Sequence, residues 1–474
     1  MKKENDYRFL AASLLISFGL LGSVFLGIWY FVNRTGPVAR SAKVASVQTA
    51  QPAPDSSQLD RQISIGGQTL LPDEPSDSKQ AGIDAIAQQD YAEAVRQLEA
   101  ARAENRNDPE TLIYLNNARI GNNQAHTIAV FAPIGESLAP ALEILRGAAQ
   151  AQDVFNRAES RAADSVLPIR LMLVDDKNDS DLAQQLAQYL VKRQDVLGVI
   201  GHFSSSVTLA AAPIYDSGNL VMLSPTSTST RLSGASPYAF RTVPSDSFAA
   251  SALADYLLED LQRQRAVVFY NAESDYSRSL KDEFTTDVFS SGGEVVEEFN
   301  LAGNQFDAAA QLDQALATGA EAIMLAANTA TLDQGLAVLA ANAGRLPVLG
   351  GDSLYNPRIL QEGAEDALSL VVAAPWHALA DPEAMFVQSA REMWGGDVSW
   401  RTAMTYDALF ALATGLSQAP SRQGLRQALE ASQFEAAGAT GPVRFLPSGD
   451  RNRPSQLVEV RPGNRSGIAL TDAQ

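Results

Sequence analysis

From residue 126 onward the chain repeats one pattern: a short apolar run, a turn residue, then a stretch of helical period. The runs are "TIAVFAP" (127–133), "IRLMLVD" (169–175), "LGVIGHF" (197–203) and "NLVMLSP" (219–225), followed by "RAVVFYN" (265–271), "GEVVEEFNL" (293–301), "AEAIMLAAN" (320–328), "LPVLGGD" (346–352) and "LSLVVAAPW" (368–376). Each is bounded by Gly, Pro, Asn or Asp, which marks short strands rather than helices. Strands that alternate with helices pair in parallel and are covered by helices on both faces. The expected fold class is therefore α/β, a two-lobed parallel-sheet sandwich with four or five strands per sheet. The break between sheets is placed near "RTVPSDS" (241–247), where turn residues cluster.

Composition narrows the function. At 474 residues the chain exceeds one ordinary domain, and 46% hydrophobic residues suit a globular core. Lys and Arg number 36 against 55 Asp and Glu, a net charge of −19 that repels nucleic acid. The absence of Cys excludes disulfides, thiolate catalysis and Cys-based zinc sites.

The N-terminus carries "FLAASLLISFGLLGSVFLGIWYFV", residues 9–32, without a charge. A helix of that length reaches about 36 Å, enough to span a bilayer with some tilt. Trp29 and Tyr30 stand where an interfacial aromatic belt forms. The run outlasts the apolar core of a signal peptide, so an uncleaved anchor is expected, with cleavage as the rival reading. Lys2, Lys3 and Arg8 before the span nearly balance Arg34, Arg40 and Lys43 after it, which leaves orientation open. Residues 33–78, rich in Pro, Ser, Gln and Ala, read as a linker, with "ISIGGQTLLP" as a brief strand or hairpin. Residues 79–122 resemble the tetratricopeptide pattern at Gly82, Tyr91, Ala94, Leu98 and Ala101. They cover about one and a half repeats, where about three are needed for a continuous groove. A docking helical pair or a spacer is the expected role.

In parallel α/β sheets ligands bind beyond the carboxyl ends of the strands. Those ends carry Ser204, Ser205 and Ser206, then "SPTSTST" (224–230), Tyr276, Asn328 and Asp352. Hydroxyls and N–H groups satisfy a carboxylate without a buried counter-ion, and a carboxylate on the facing lobe suits an ammonium. Together they describe a zwitterion held between two lobes.

Residues 126–462 resemble the periplasmic solute-binding proteins of ABC transporters, leucine/isoleucine/valine-binding type. The resemblance is densest in "GVIGHFSSSVTLAAAPIYDSGNLVMLSPTSTSTRLS" and recurs in "SDYSRSL", "LGGDSLYNPRIL", "MTYDALFAL" and "GATGPVRFLPSGD". It implies a first lobe of about 126–245 and 376–442 and a second of about 246–375 and 443–462, with hinge crossings near 245, 375 and 443. It also implies that Ser205 binds the ligand carboxylate and that Thr226 supplies a backbone group. Thr228 would add a hydroxyl and an N–H, Tyr276 would cover the ligand, and Asp352 would pair with the α-ammonium. Ser204 and Ser206 stand as helix caps or further ligand groups. Asp352 has a rival role as cap of the helix begun by "NPRIL". Trp376, near the second crossing, reads as packing or ligand contact. Pro140 and Asn328 depart from the family on the side-chain half of the pocket. This admits a polar amino acid, a small peptide-like acid or an amide.

No nucleophile elbow, phosphate loop or dinucleotide fingerprint is present, and His126, His202 and His377 are too scattered for a helix-borne metal pair. A triad of His202, Ser205 and Asp352 is conceivable only if geometry joins them. The chain is expected not to be an enzyme and to need no cofactor or metal. The expected function is a membrane-anchored solute-binding protein of an ABC importer. Its partners would be an amino-acid-like ligand, a permease and the membrane. It would sit single-pass in the cytoplasmic membrane, its soluble part in the periplasm or extracellular space. The alternative is a membrane-tethered ligand-sensing receptor or scaffold ectodomain.

Overall fold

A six-stranded sheet and a seven-stranded sheet follow one another along the chain. The computed structural model describes residues 56–157, 166–463 and the backbone of 468–470. The apolar stretch 9–32 and the start of the 33–78 linker lie outside the described residues.

The first sheet has the order β1-β3-β2-β4-β5-β6. Its strands are β1 (Ile63–Ser64), β2 (His126–Ala132), β3 (Ile169–Asp175), β4 (Val196–Ile200), β5 (Val221–Ser224) and β6 (Ala239–Arg241). All neighbours pair in parallel except β1, which runs antiparallel to β3. The second sheet has the order β13-β12-β11-β10-β9-β7-β8. Its strands are β7 (Arg265–Tyr270), β8 (Glu294–Asn300), β9 (Ala322–Ala326), β10 (Val348–Gly350), β11 (Val371–Ala374), β12 (Gln456–Val460) and β13 (Ile468–Leu470). Here β7 to β11 are parallel and β12 and β13 are antiparallel additions. Both sheets exceed the expected four or five strands. The extra ones are short or polar edge strands, whose sequences lack the continuous apolar run that double-sided burial imposes.

The chain passes from the first sheet to the second after β6 and back after β11. Its final return falls later than the expected 443. Arg241 N–H donates to Gly449 O (3.0 Å), and Arg241 Nε pairs with Asp450 at 2.6 Å in a buried contact. Phe445 packs edge-on against Phe240 with ring centroids 5.3 Å apart. These contacts keep 443–451 with the first lobe, and the crossing lies between Arg451 and β12.

The segment after Ser56 is not a free tether. Lys79 bridges Asp108 (2.8 Å) and Glu110 (2.7 Å). Glu110 also accepts from Thr69 Oγ1 (2.7 Å) and Leu70 N (2.6 Å), so the end of the expected linker is fastened. Helices Asp77–Ala87, Tyr91–Glu104 and Pro109–Ile120 follow. The third starts on Pro109 with Asp108 capping Thr111 N–H at 3.0 Å, an arrangement suited to a first helical turn. It is buried along nearly its whole length, and its Asn117 bonds both backbone groups of Leu171 on β3 (2.8 and 3.1 Å). The helices dock on the first lobe.

Helices Leu138–Asn156 and Trp400–Gln418 pack closely over that lobe. A Cβ on Gly147 would stand 2.3 Å from Thr402 O, so only glycine permits the approach.

Candidate functional site

The first wall comes from the ends of β4 and β5. Ser204 occupies the N-cap of helix Ser205–Ser217 in an extended conformation, yet its side chain makes no capping bond. Ser205 is buried and its Oγ accepts the Ser229 N–H at 3.2 Å, which folds the 224–230 loop over the helix start. Thr226 Oγ1 donates to Phe203 O (2.7 Å) and tightens the same turn. Thr228 is 4% exposed, and its hydroxyl has no hydrogen-bond partner. Ser206 faces the other lobe, its Oγ accepting Asp275 N–H at 3.2 Å.

The second wall is built after β7 and β10. Tyr276, in the first turn of helix Asp275–Ser290, lies over Gly351, where a Cβ would approach its hydroxyl to 2.3 Å. Ser353 N–H reaches the Tyr276 hydroxyl at 3.4 Å and orients the ring above Asp352. Asp352 does not cap the helix Pro357–Glu362; Asn356 does, accepting Arg358 N–H at 3.0 Å. The Asp352 carboxyl is thus left to the cleft.

Thr228, Tyr276 and Asp352 line one small cavity of about 10 Å³, and a second carboxyl joins them. Asp246 begins the helix Asp246–Asp255 just after the first crossing, and its N–H donates to Thr228 O at 2.8 Å. It is 1% exposed, and its Oδ2 has no hydrogen-bond partner. Burial pushes Asp246 up to about 7, against the pull of the neighbouring Ser279 hydroxyl. Burial likewise raises Asp352 to about 6, against the attraction of Arg401 and a hydrogen bond from Tyr276. Two carboxyls and a free hydroxyl therefore converge where a single water would fit.

The lobes meet at this end. Thr230 N–H donates to Ser279 Oγ (3.0 Å), and Arg231 pairs with Asp275. A cleft of about 650 Å³ lies between Pro140 and Glu143 on one side and Tyr355 and Leu360 on the other. Arg401, at the start of helix Trp400–Gln418, lines this cleft and also acts on Asp352.

Two expected contacts lie elsewhere. The Asn328 Oδ1 accepts from Thr331 Oγ1 (2.8 Å) and Asn271 Nδ2 (3.1 Å), so it caps a turn. Trp376 packs edge-on against Phe386 at 5.8 Å within the core of the first lobe. Nor does a triad assemble. His202 Nδ1 contacts Asp176 Oδ2 at 2.5 Å and its Nε2 contacts the Tyr215 hydroxyl at 3.0 Å, so neither ring nitrogen is available to Ser205.

Two sheets joined by three crossings, with polar strand ends turned to one cleft, match a family model described as periplasmic binding protein over residues 127–465. The chain belongs to this family. An amino acid binding protein of Pseudomonas aeruginosa is 27% identical over 180 residues, which is 38% of this chain and 47% of that protein. The chain thus spans about half the length of that relative. The Leu/Ile/Val-binding protein homolog 3 of Brucella melitensis is 23% identical over 343 residues, covering 69% of this chain and 89% of that protein. The crystal structure of an ABC transporter substrate-binding protein from Desulfitobacterium hafniense in complex with Leu superposes with a TM-score of 0.61 at 25% identity, covering 73% of this chain and all of that one.

Within this periplasmic binding protein, Asp246 and Arg401 are the site groups that sequence reasoning missed. Asp246 in "VPSDSF" reads as a helix-start acid, and Arg401 in "SWRTAM" as an ordinary basic residue. The one signal for Asp246 was its place at the expected break between lobes. Nothing local marks Arg401.

Proposed function

We propose that this chain is the extracytoplasmic solute-binding component of an ABC importer and closes on an α-amino acid. One observation carries the reading: the Thr228 hydroxyl and Asp246 Oδ2, neither with a hydrogen-bond partner, share a buried interlobe cavity with Asp352. Buried polar atoms without partners are costly, and a ligand that supplies an ammonium and a carboxylate removes that cost. The Ser205 and Thr228 wall would take the ligand carboxylate, Asp352 with Asp246 the ammonium, and Tyr276 would cover both. Thr226 and Ser206 brace the loop and the closed mouth, and Ser204 borders them. Closure would exclude water and strengthen each bond. The names of the Brucella and Desulfitobacterium relatives support an amino acid as ligand. The uncharged stretch 9–32 supports a membrane tether, and a permease would read the closed form.

The test is thermal denaturation of the full chain against the common amino acids. A ligand at a hundred times its dissociation constant stabilises the fold by about 2.7 kcal/mol. Asp352→Asn is expected to abolish that shift. A panel in which no amino acid stabilises the chain overturns the proposal.

A second reading, a membrane-tethered sensor, draws on the rigid docking of the helices at 77–120. Arg102 lies 5.2 Å over the Trp394 ring, which ties those helices to the segment beside the cleft. Loss of amino-acid uptake on deletion of the gene favours the importer; unaltered uptake favours the sensor.

A further inference from the structure

Arg401 is 7% exposed, and its Nε has no hydrogen-bond partner among the described residues. Its guanidinium stacks over the Trp400 ring at 4.3 Å, which fixes the plane without satisfying the N–H donors. No described carboxylate forms an ion pair with it. Burial lowers its proton affinity, against the attraction of Asp352 and Glu143. Glu143 is already committed, bonding Arg146 Nη1 (2.6 Å), Ser399 N (3.1 Å) and Thr402.

Closure of the lobes on a ligand would leave Arg401 in a water-poor cleft. A buried cation without a paired anion is strongly unfavourable. A ligand that brings a second anion supplies that pair. The guanidinium presents a planar fork of donors, which matches a carboxylate in two parallel bonds and a hydroxyl or a methyl group poorly. The space is present: Arg401 lines a cleft of about 650 Å³ that extends between Pro140 and Tyr355.

We infer that Arg401 is a specificity-determining ligand contact and that this site selects amino acids with a side-chain carboxylate over aliphatic ones. The inference rests on the amino-acid reading and adds to it a ligand class.

Isothermal titration of the full chain tests it with two pairs of near-identical shape, L-glutamate against L-glutamine and L-aspartate against L-asparagine. At least one acid is expected to bind tenfold or more tightly than its amide and than L-leucine. Arg401→Gln should erase that ratio, and Arg401→Lys should retain part of it. If Arg401→Gln does not fold, the wild-type ratio and the Lys variant decide. L-leucine or an amide binding as tightly as either acid would overturn the inference and leave the amino-acid reading standing. Absence of binding by every amino acid would overturn both.

Discussion

Asp246 and Asp352 line the same buried cavity although they reach it from opposite ends of the second lobe, one from the first crossing and one from the end of β10. Burial does most to raise the proton affinity of Asp246, and the charge of Asp352 adds to it. Asn356 takes over the capping of the next helix, which leaves Asp352 for the cleft.

The pair makes the free protein sensitive to pH. Both carboxyls titrate at 3.8 when unperturbed and near 7 and 6 in the folded chain, so between those values the native state holds protons that the unfolded chain has released. Stability of the free protein should fall as pH rises from about 4 to about 7 and level off above. Amino-acid binding should strengthen over the same interval, because the ammonium needs ionised partners. Thermal melts at pH 5 and pH 8 check the sign. Asp246→Asn should flatten the difference, and a wild type equally stable at both would contradict the assignment.

Thr228→Val separates binding from folding. Its hydroxyl has no partner in the free protein, so its loss should leave the melting temperature unchanged or slightly higher. Affinity for the ligand should fall by about 1–3 kcal/mol, the value of a hydrogen bond to a charged group. A binding loss below twofold in a titration would remove Thr228 from the site.

Arg241 and Asp450 hold the late crossing in place through a contact that is 2% and 11% exposed. Arg241→Ala strips a buried carboxylate of its partner, and denaturant unfolding should show a loss of about 3–5 kcal/mol. A loss below about 1 kcal/mol, the range of exposed pairs, would mean the bridge does not anchor 443–451.

Gly147→Ala should force the helices bearing Glu143 and Arg401 apart, since the new Cβ would meet the Thr402 backbone. Overpacking of this kind costs about 1–3 kcal/mol. Because Arg401 rides on the displaced helix, ligand affinity should fall with stability. Unchanged unfolding would show that the helices accommodate the methyl group.

The nine apolar runs were legible in the sequence because strands buried on both faces must be continuously apolar, and that constraint is local. The hydroxyl wall was legible for a similar reason: Ser205, Thr226 and Thr228 follow strand ends, and strand ends position ligands in parallel sheets. Tyr276 and Asp352 were legible in the same way, and resemblance to the family added their roles. The edge strands β6, β12 and β13, the crossing beyond Arg451 and the docking of the helices after Ser56 were not legible. They depend on partners far away in the chain, such as Arg241 with Asp450 and Asn117 with Leu171. The same holds for Asp246 and Arg401. A helix-start acid and a helix-start base look alike whether water or protein surrounds them. Only the folded chain strips away that water, and burial rather than residue type makes them candidate binding groups.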